Sequence, residues 1–146
     1  WSTGWQDEVH QMRMRIEKER TPAGKSELAI KTGEGGLMDA EFVAQAVCLR
    51  HGWHEPNTLH ALARARKEGV IAEEAAEALI ANYRRLVEIE RILRRWSFEA
   101  ESILPEDPAA LYRVAVRCGF ESSGRFLAAV SGYRKEMREA YAEALP

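Results

Sequence analysis

Cysteine is scarce: two residues, Cys48 and Cys118, in 146. Each lies in an apolar helical context, so both are expected to be reduced core thiols rather than a disulfide. No apolar run approaches the roughly 20 residues of a membrane-spanning helix, and no signal-peptide pattern opens the sequence. A cytoplasmic address without membrane association is the expectation. Charge of one sign is not in excess either: 21 Lys and Arg stand against 23 Asp and Glu, for a net charge of -2. Acids and bases are interleaved, and the basic stripe of a phosphate-backbone binder is absent, which argues against nucleic acid as a partner. Strand-like alternation is missing almost throughout. So are a P-loop, a D-x-D pair and any Ser/His/Asp or Cys/His spacing suited to a nucleophile. His51 and His54 straddle a helix end with no Cys or carboxylate pair to complete a metal site.

What is present is helical periodicity. With 46% hydrophobic and 30% charged residues, the chain is expected to be one all-α domain, residues 1–146, large enough to bury a core. Gly and Pro divide it into five or six helices of an antiparallel bundle. The first covers Gln6–Arg20, with Val9, Met12 and Ile16 on one side, and stops at Thr21-Pro22-Ala23-Gly24. Leu28–Thr32 is too short for a helix and reads as an extended segment before the glycine turn Gly33-Glu34-Gly35-Gly36. A second helix runs from Met38 to His51, with Met38, Phe42, Gln45 or Ala46, and Leu49 on one face, and ends at Gly52.

A third helix starts at Thr58 as N-cap, faces Leu59, Leu62 and Ala63 inward, and ends at Gly69. The longest is expected over Ala72–Phe98. Its stripe is Ala75, Leu79, Tyr83, Leu86, Glu90 and Leu93, flanked by Ile80, Val87, Ile89, Ile92 and Trp96. Asp107 caps the next helix, with Pro108 at its first position and Gly119 past its end. Ser122 or Ser123 opens the last, carrying Phe126, Leu127, Val130, Tyr133, Met137 and Tyr141. Trp1 and Trp5 are expected to be exposed. Because the sequence opens on Trp1 rather than Met, it is read as a fragment or a processed chain.

The segment Lys31–Gln45 is not generic bundle. Glycines before a helix can offer N–H groups to an anion, with Lys31 adding positive charge; equally, they can simply build a turn. Asp39 and Glu41 sit two apart in the first turn and project differently, where acids favour the helix dipole or one could face a nucleotide-bound Mg2+. Gln45 lies one turn after Glu41 on the same face. Glu90 falls inside an apolar stripe and needs a partner, for which Arg91 or a residue of the glycine segment is the expectation. Arg84–Glu88 is expected to be one of several i,i+4 surface pairs.

Lys31–Gln45 resembles the K-x-x-x-G-G-x-x-D-I-E-F-x-x-Q signature of glutamine synthetase adenylyltransferases, shared more loosely with PII uridylyltransferases. Glu8–Glu17, the Tyr83-x-x-Leu86-x-x-x-Glu90-x-x-Leu93 helix and the Leu104-Pro105-Glu106-Asp107 turn agree with the same family in order. Ala40 departs from the family's isoleucine, and Val87 stands where its arginine is common.

The resemblance implies a helical domain that follows a nucleotidyltransferase core in a larger enzyme. That core would use ATP and Mg2+ to place AMP on a tyrosine of glutamine synthetase, or remove it by phosphorolysis, with PII protein and glutamine setting the direction. Asp39 favours the AMP-adding half. Lys31, Gly35, Gly36, Asp39, Glu41 and Gln45 are then the residues expected to face the core, and Phe42, Tyr83 and Glu90 to hold structural or interface positions. The domain alone is expected to be inactive and to bind no cofactor by itself. A helical domain of a PII uridylyltransferase, or a non-catalytic module binding glutamine synthetase or PII, are the alternatives.

Overall fold

The computed structural model describes residues 3–96 and 102–145. Within them the chain forms six helices: α1 (Trp5–Arg20), α2 (Leu37–His51), α3 (Thr58–Lys67), α4 (Glu73–Trp96), α5 (Pro108–Arg117) and α6 (Ser123–Ala144). The all-α bundle read from the periodicity is what forms. α4 and α6 make the most extensive helix pair, with α2 and α3 packed on them. One apolar cluster joins these helices through Leu37, Val43, Leu62, Leu79, Leu86, Phe126 and Met137, all buried.

Helix ends follow local chemistry. Asp107 accepts a hydrogen bond from the Ala110 amide at 2.9 Å, and Ser122 accepts one from the Arg125 amide at 3.1 Å. Each satisfies an N–H that the helix leaves open, worth about 1 kcal/mol. The cap of α3 is Asn57, one residue before the expected Thr58: its Oδ1 takes the His60 amide at 3.0 Å. Gly52, Gly69 and Gly119 close α2, α3 and α5 at φ of 66°, 67° and 86°, a left-handed conformation that costs a side chain about 1–2 kcal/mol.

Several inward faces differ from the periodic reading. In α2 the buried set is Leu37, Asp39, Ala40, Val43, Ala44, Ala46 and Val47, so Ala46 turns inward as one of the two expected residues, while Leu49 is 65% exposed and Gln45 points to solvent. Alanine carries little hydrophobic weight on a wheel, yet it is what lets α2 sit close to its neighbours. Ala65 rather than Ala63 turns inward in α3, and Trp96 stands 54% exposed at the end of α4. Trp5, expected outside, is buried with the Arg50 guanidinium 5.4 Å from its ring centre; Trp1 lies outside the described residues, as does Phe98. Met12, expected inward, is 57% exposed, and the buried α1 position beside it is Arg13.

The expected extended segment is reduced to a single antiparallel bridge, Ala29 to Ile103. Turns surround it, because Leu28 and Ala29 donate back to Lys25 O and Gly33 donates to Ala29 O. Cys48 and Cys118 are both free and half-buried.

Candidate functional site

The glycine turn is a place where three backbones meet. Gly35 has φ +68°, and a Cβ there would lie 2.0 Å from the carbonyl oxygen of Arg134. At Gly33 it would meet Ala29 O and Ser26 O, both at 2.5 Å, and at Gly36 Lys31 O at 2.6 Å. Only glycine fits such approaches. The turn also consumes the opening amides of α2. Leu37 N donates to Ile30 O at 2.9 Å, Met38 N to Lys31 O at 3.1 Å and Asp39 N to Gly36 O at 3.1 Å. These N–H groups are therefore engaged within the chain rather than aimed at an anion.

Beneath the turn lies a buried ion network. Asp39 is fully buried, and its Oδ1 accepts from Arg13 Nε at 2.7 Å while Oδ2 accepts from the Gly35 amide at 3.2 Å. Arg138 Nε lies 2.8 Å from Oδ2 as an ion pair, poorly aligned for a hydrogen bond. Arg13 Nη2 donates to Gly33 O at 2.9 Å, and Glu17 pairs with both Arg138 and Arg13. Burial pushes the Asp39 carboxyl above its ordinary value, against the pull of the Arg13 and Arg138 guanidiniums. With both arginines this close, Asp39 is the anion that compensates them at neutral pH.

Arg134 completes the brace. Its Nε donates to Glu34 O at 2.9 Å, Nη2 to Ser26 O at 2.7 Å and Nη1 to Glu27 O. One guanidinium on α6 thus ties both arms of the loop, and burial lowers its pKa despite the nearby acids, Asp39 foremost.

The other acid of the segment faces differently. Glu41 is half-buried at the opposite side of α2, where Tyr83 Oη donates to its Oε1 at 3.4 Å. Burial raises the Glu41 carboxyl, Lys31 pulls it down and Glu90 pushes it up. The Tyr83 phenol is raised by burial and by Glu41. Glu90 is not partnered as expected: Ser102 Oγ donates to its Oε2 at 2.6 Å and Arg94 Nε lies 3.6 Å from its Oε1. Arg91 turns instead to Glu88, the acid expected to pair with Arg84.

The structure therefore splits the predicted residues. Lys31, Glu41, Tyr83 and Glu90 come together as one polar group at the edge of the core, with Gln45 exposed one turn beyond Glu41. Phe42 packs against the core. Gly35, Gly36 and Asp39 lie buried under the turn. Sequence reading missed the three arginines. Their signal was position: Arg134 falls four residues after Val130 and three before Met137, inside an apolar stripe, as Glu90 does in α4. His51 stacks on Trp53 with ring centres 5.1 Å apart, and no cluster of metal-ligating side chains exists among the described residues. With both Asp39 oxygens committed to arginines and an amide, these residues do not fit a Mg2+ centre.

Fold and site together define an all-α domain built around a glycine turn braced by a buried Arg–Asp network. The chain belongs to the GlnD PII-uridylyltransferase family, whose profile matches residues 5–145. Among curated relatives, it is similar to the bifunctional glutamine synthetase adenylyltransferase/adenylyl-removing enzyme of Streptomyces coelicolor, 33% identical over 92% of this chain and 13% of the relative. The enzyme of the same name from Mycobacterium avium is 36% identical over 90% of this chain and 14% of its own length. That of Neisseria meningitidis serogroup A is 28% identical over 80% and 14%. The chain thus spans about one-seventh of the length of these relatives.

Proposed function

We propose that this chain serves as the helical domain of a bifunctional glutamine synthetase adenylyltransferase/adenylyl-removing enzyme. The observation that carries the reading is the match to relatives of that name across most of this chain, including the glycine segment. In this reading ATP and Mg2+ are held by a nucleotidyltransferase core, since the residues here do not fit a metal ion. Glutamine synthetase is the protein acted on, and PII protein and glutamine are the effectors. The setting is the cytoplasm; no helix among the described residues is long and apolar enough to cross a membrane.

Within the domain the roles divide. Gly35, Gly36 and Asp39 build the turn, and Lys31, Glu41 and Gln45 are presented toward the core. A half-buried carboxyl whose proton affinity is raised, next to a lysine and a phenol, is suited to grip an arginine or a polar backbone across a domain interface. Tyr83 and Glu90 hold that group in place from α4.

The test is the intact mass of glutamine synthetase incubated with Mg-ATP and the complete enzyme carrying this domain, with and without Glu41→Gln. A gain of one AMP with the parent enzyme, reduced for the variant at unchanged fold, supports the reading. Equal gain for both removes Glu41 from the interface. No gain with the parent, accompanied by uridylylation of PII protein from UTP, moves the domain to a PII uridylyltransferase.

A further inference from the structure

The helix α1 is attached to the bundle differently from every other long helix. α4 buries Ala75, Leu79, Leu86, Ile89 and Leu93, and α6 buries Phe126, Val130, Met137, Ala140 and Tyr141. α1 buries only Trp5 and Arg13, and its outward Met12 is 57% exposed. Val9 packs partly buried against the core, and beside it the ties are polar. Arg13 reaches Asp39 and Gly33 O, Glu17 reaches Arg138, and His10 Nδ1 lies 3.2 Å from Tyr141 Oη. Arg138 Nη1 adds a contact to the Met14 sulfur at 3.6 Å.

Such an attachment opens at small cost relative to the core. Lifting α1 exposes chiefly Trp5 and Val9 as apolar surface, less than α4 or α6 would expose, and it returns Arg13, Glu17, Asp39 and Arg138 to water, recovering the desolvation penalty of burying them. The chain beside the helix supplies a joint: Thr21 is extended at φ −90° and ψ 122°, and Gly24 sits at φ +74°. Nothing on α4 or α6 combines few apolar contacts with a glycine-bearing bend in this way.

We propose that α1 is a strap, latched across the glycine turn by the Asp39 ion network, which opens as one unit about Thr21–Gly24 while α2–α6 stay folded. Opening uncovers Asp39 and frees Gly33 O, so the latch and the turn that carries Lys31 and Glu41 move together. The strap gives the fold a two-position element at its signature segment, independent of which reaction the complete enzyme performs.

Site-resolved hydrogen exchange on the protein tests this, comparing wild type with Glu17→Gln. That change removes the most solvent-near leg of the latch and leaves Arg13, Asp39 and the Gly35 amide in place. The strap predicts that wild-type amides of α1 exchange faster than those of α4 and α6, all by a common amount. It further predicts that Glu17→Gln speeds α1 exchange about tenfold, between the effects of exposed and buried pairs, with α4 and α6 unchanged. Equal protection of α1 and α4 in the wild type overturns the proposal, as does a uniform loss across all helices in the variant.

Discussion

Two carboxylates two residues apart on one helix meet opposite fates. Asp39 points down, is sealed from water and is bound by two arginines of α1 and α6. Glu41 points sideways, stays half-buried and shares its surroundings with Lys31, Tyr83 and Glu90. Both are drawn from the same short motif, yet one closes the fold and the other is left available. The difference teaches that one short motif can hold both a sealed acid that closes the fold and a partly exposed one, and that spacing separates them: a step of two on a helix turns a side chain through more than a right angle.

The largest effect that sharpens the comparison is expected at Asp39. Asp39→Asn leaves the Arg13 and Arg138 guanidiniums short of one buried counter-charge, and denaturant titration should show a loss of about 3–5 kcal/mol. Next is Gly35→Ala. It forces a left-handed alanine against Arg134 O, and roughly 2–4 kcal/mol should be lost from strain and overpacking together. Either variant remaining at wild-type stability would break the closed half of the account.

A smaller effect tests burial around the network by pH. The Tyr141 phenol is pushed up to about 12, by burial first and by Asp39 next. Below the ordinary phenol value of 10.0, folded and unfolded chains are both protonated and the group contributes a constant amount. Between there and about 12 the unfolded chain ionises first, so stability falls as pH rises. Near-ultraviolet titration should show Tyr141 ionising late, and Tyr141→Phe should flatten this alkaline loss.

The smallest stability effect is expected at Glu41. Its folded pKa is raised, so the stability it contributes is present at low pH and is lost as pH rises through that folded value. Glu41 is only half-buried and glutamine keeps an oxygen to accept from Tyr83, so Glu41→Gln should unfold within about 0.5 kcal/mol of wild type or slightly above it. A drop as large as that at Asp39 would erase the distinction between the two acids.

Much of this architecture was legible. The six helices, the Asp107 and Ser122 caps and the glycine stops follow from side-chain chemistry within a few residues of each boundary. The α2 register was not, because alanines at positions 40 and 44 carry the contact while Leu49, the more hydrophobic residue, faces water. The Lys31–Glu41–Tyr83–Glu90 group could be named residue by residue, but its assembly depends on α4 lying beside α2. The brace was hidden for a different reason. Arg13, Arg134 and Arg138 read as surface arginines in charged helices, and only the turn's backbone carbonyls and Asp39, about 100 residues from Arg134 and Arg138, explain why the first two are buried and the third half-buried.

The most direct test of the two-sided signature is the intact mass of glutamine synthetase after reaction with Mg-ATP and the complete enzyme carrying Glu41→Gln, at a folded fraction matched to the parent. The account predicts a marked fall in AMP transfer from a variant that unfolds like wild type. Undiminished transfer would contradict it, and would leave Glu41 as one more acid on the surface of a helical bundle.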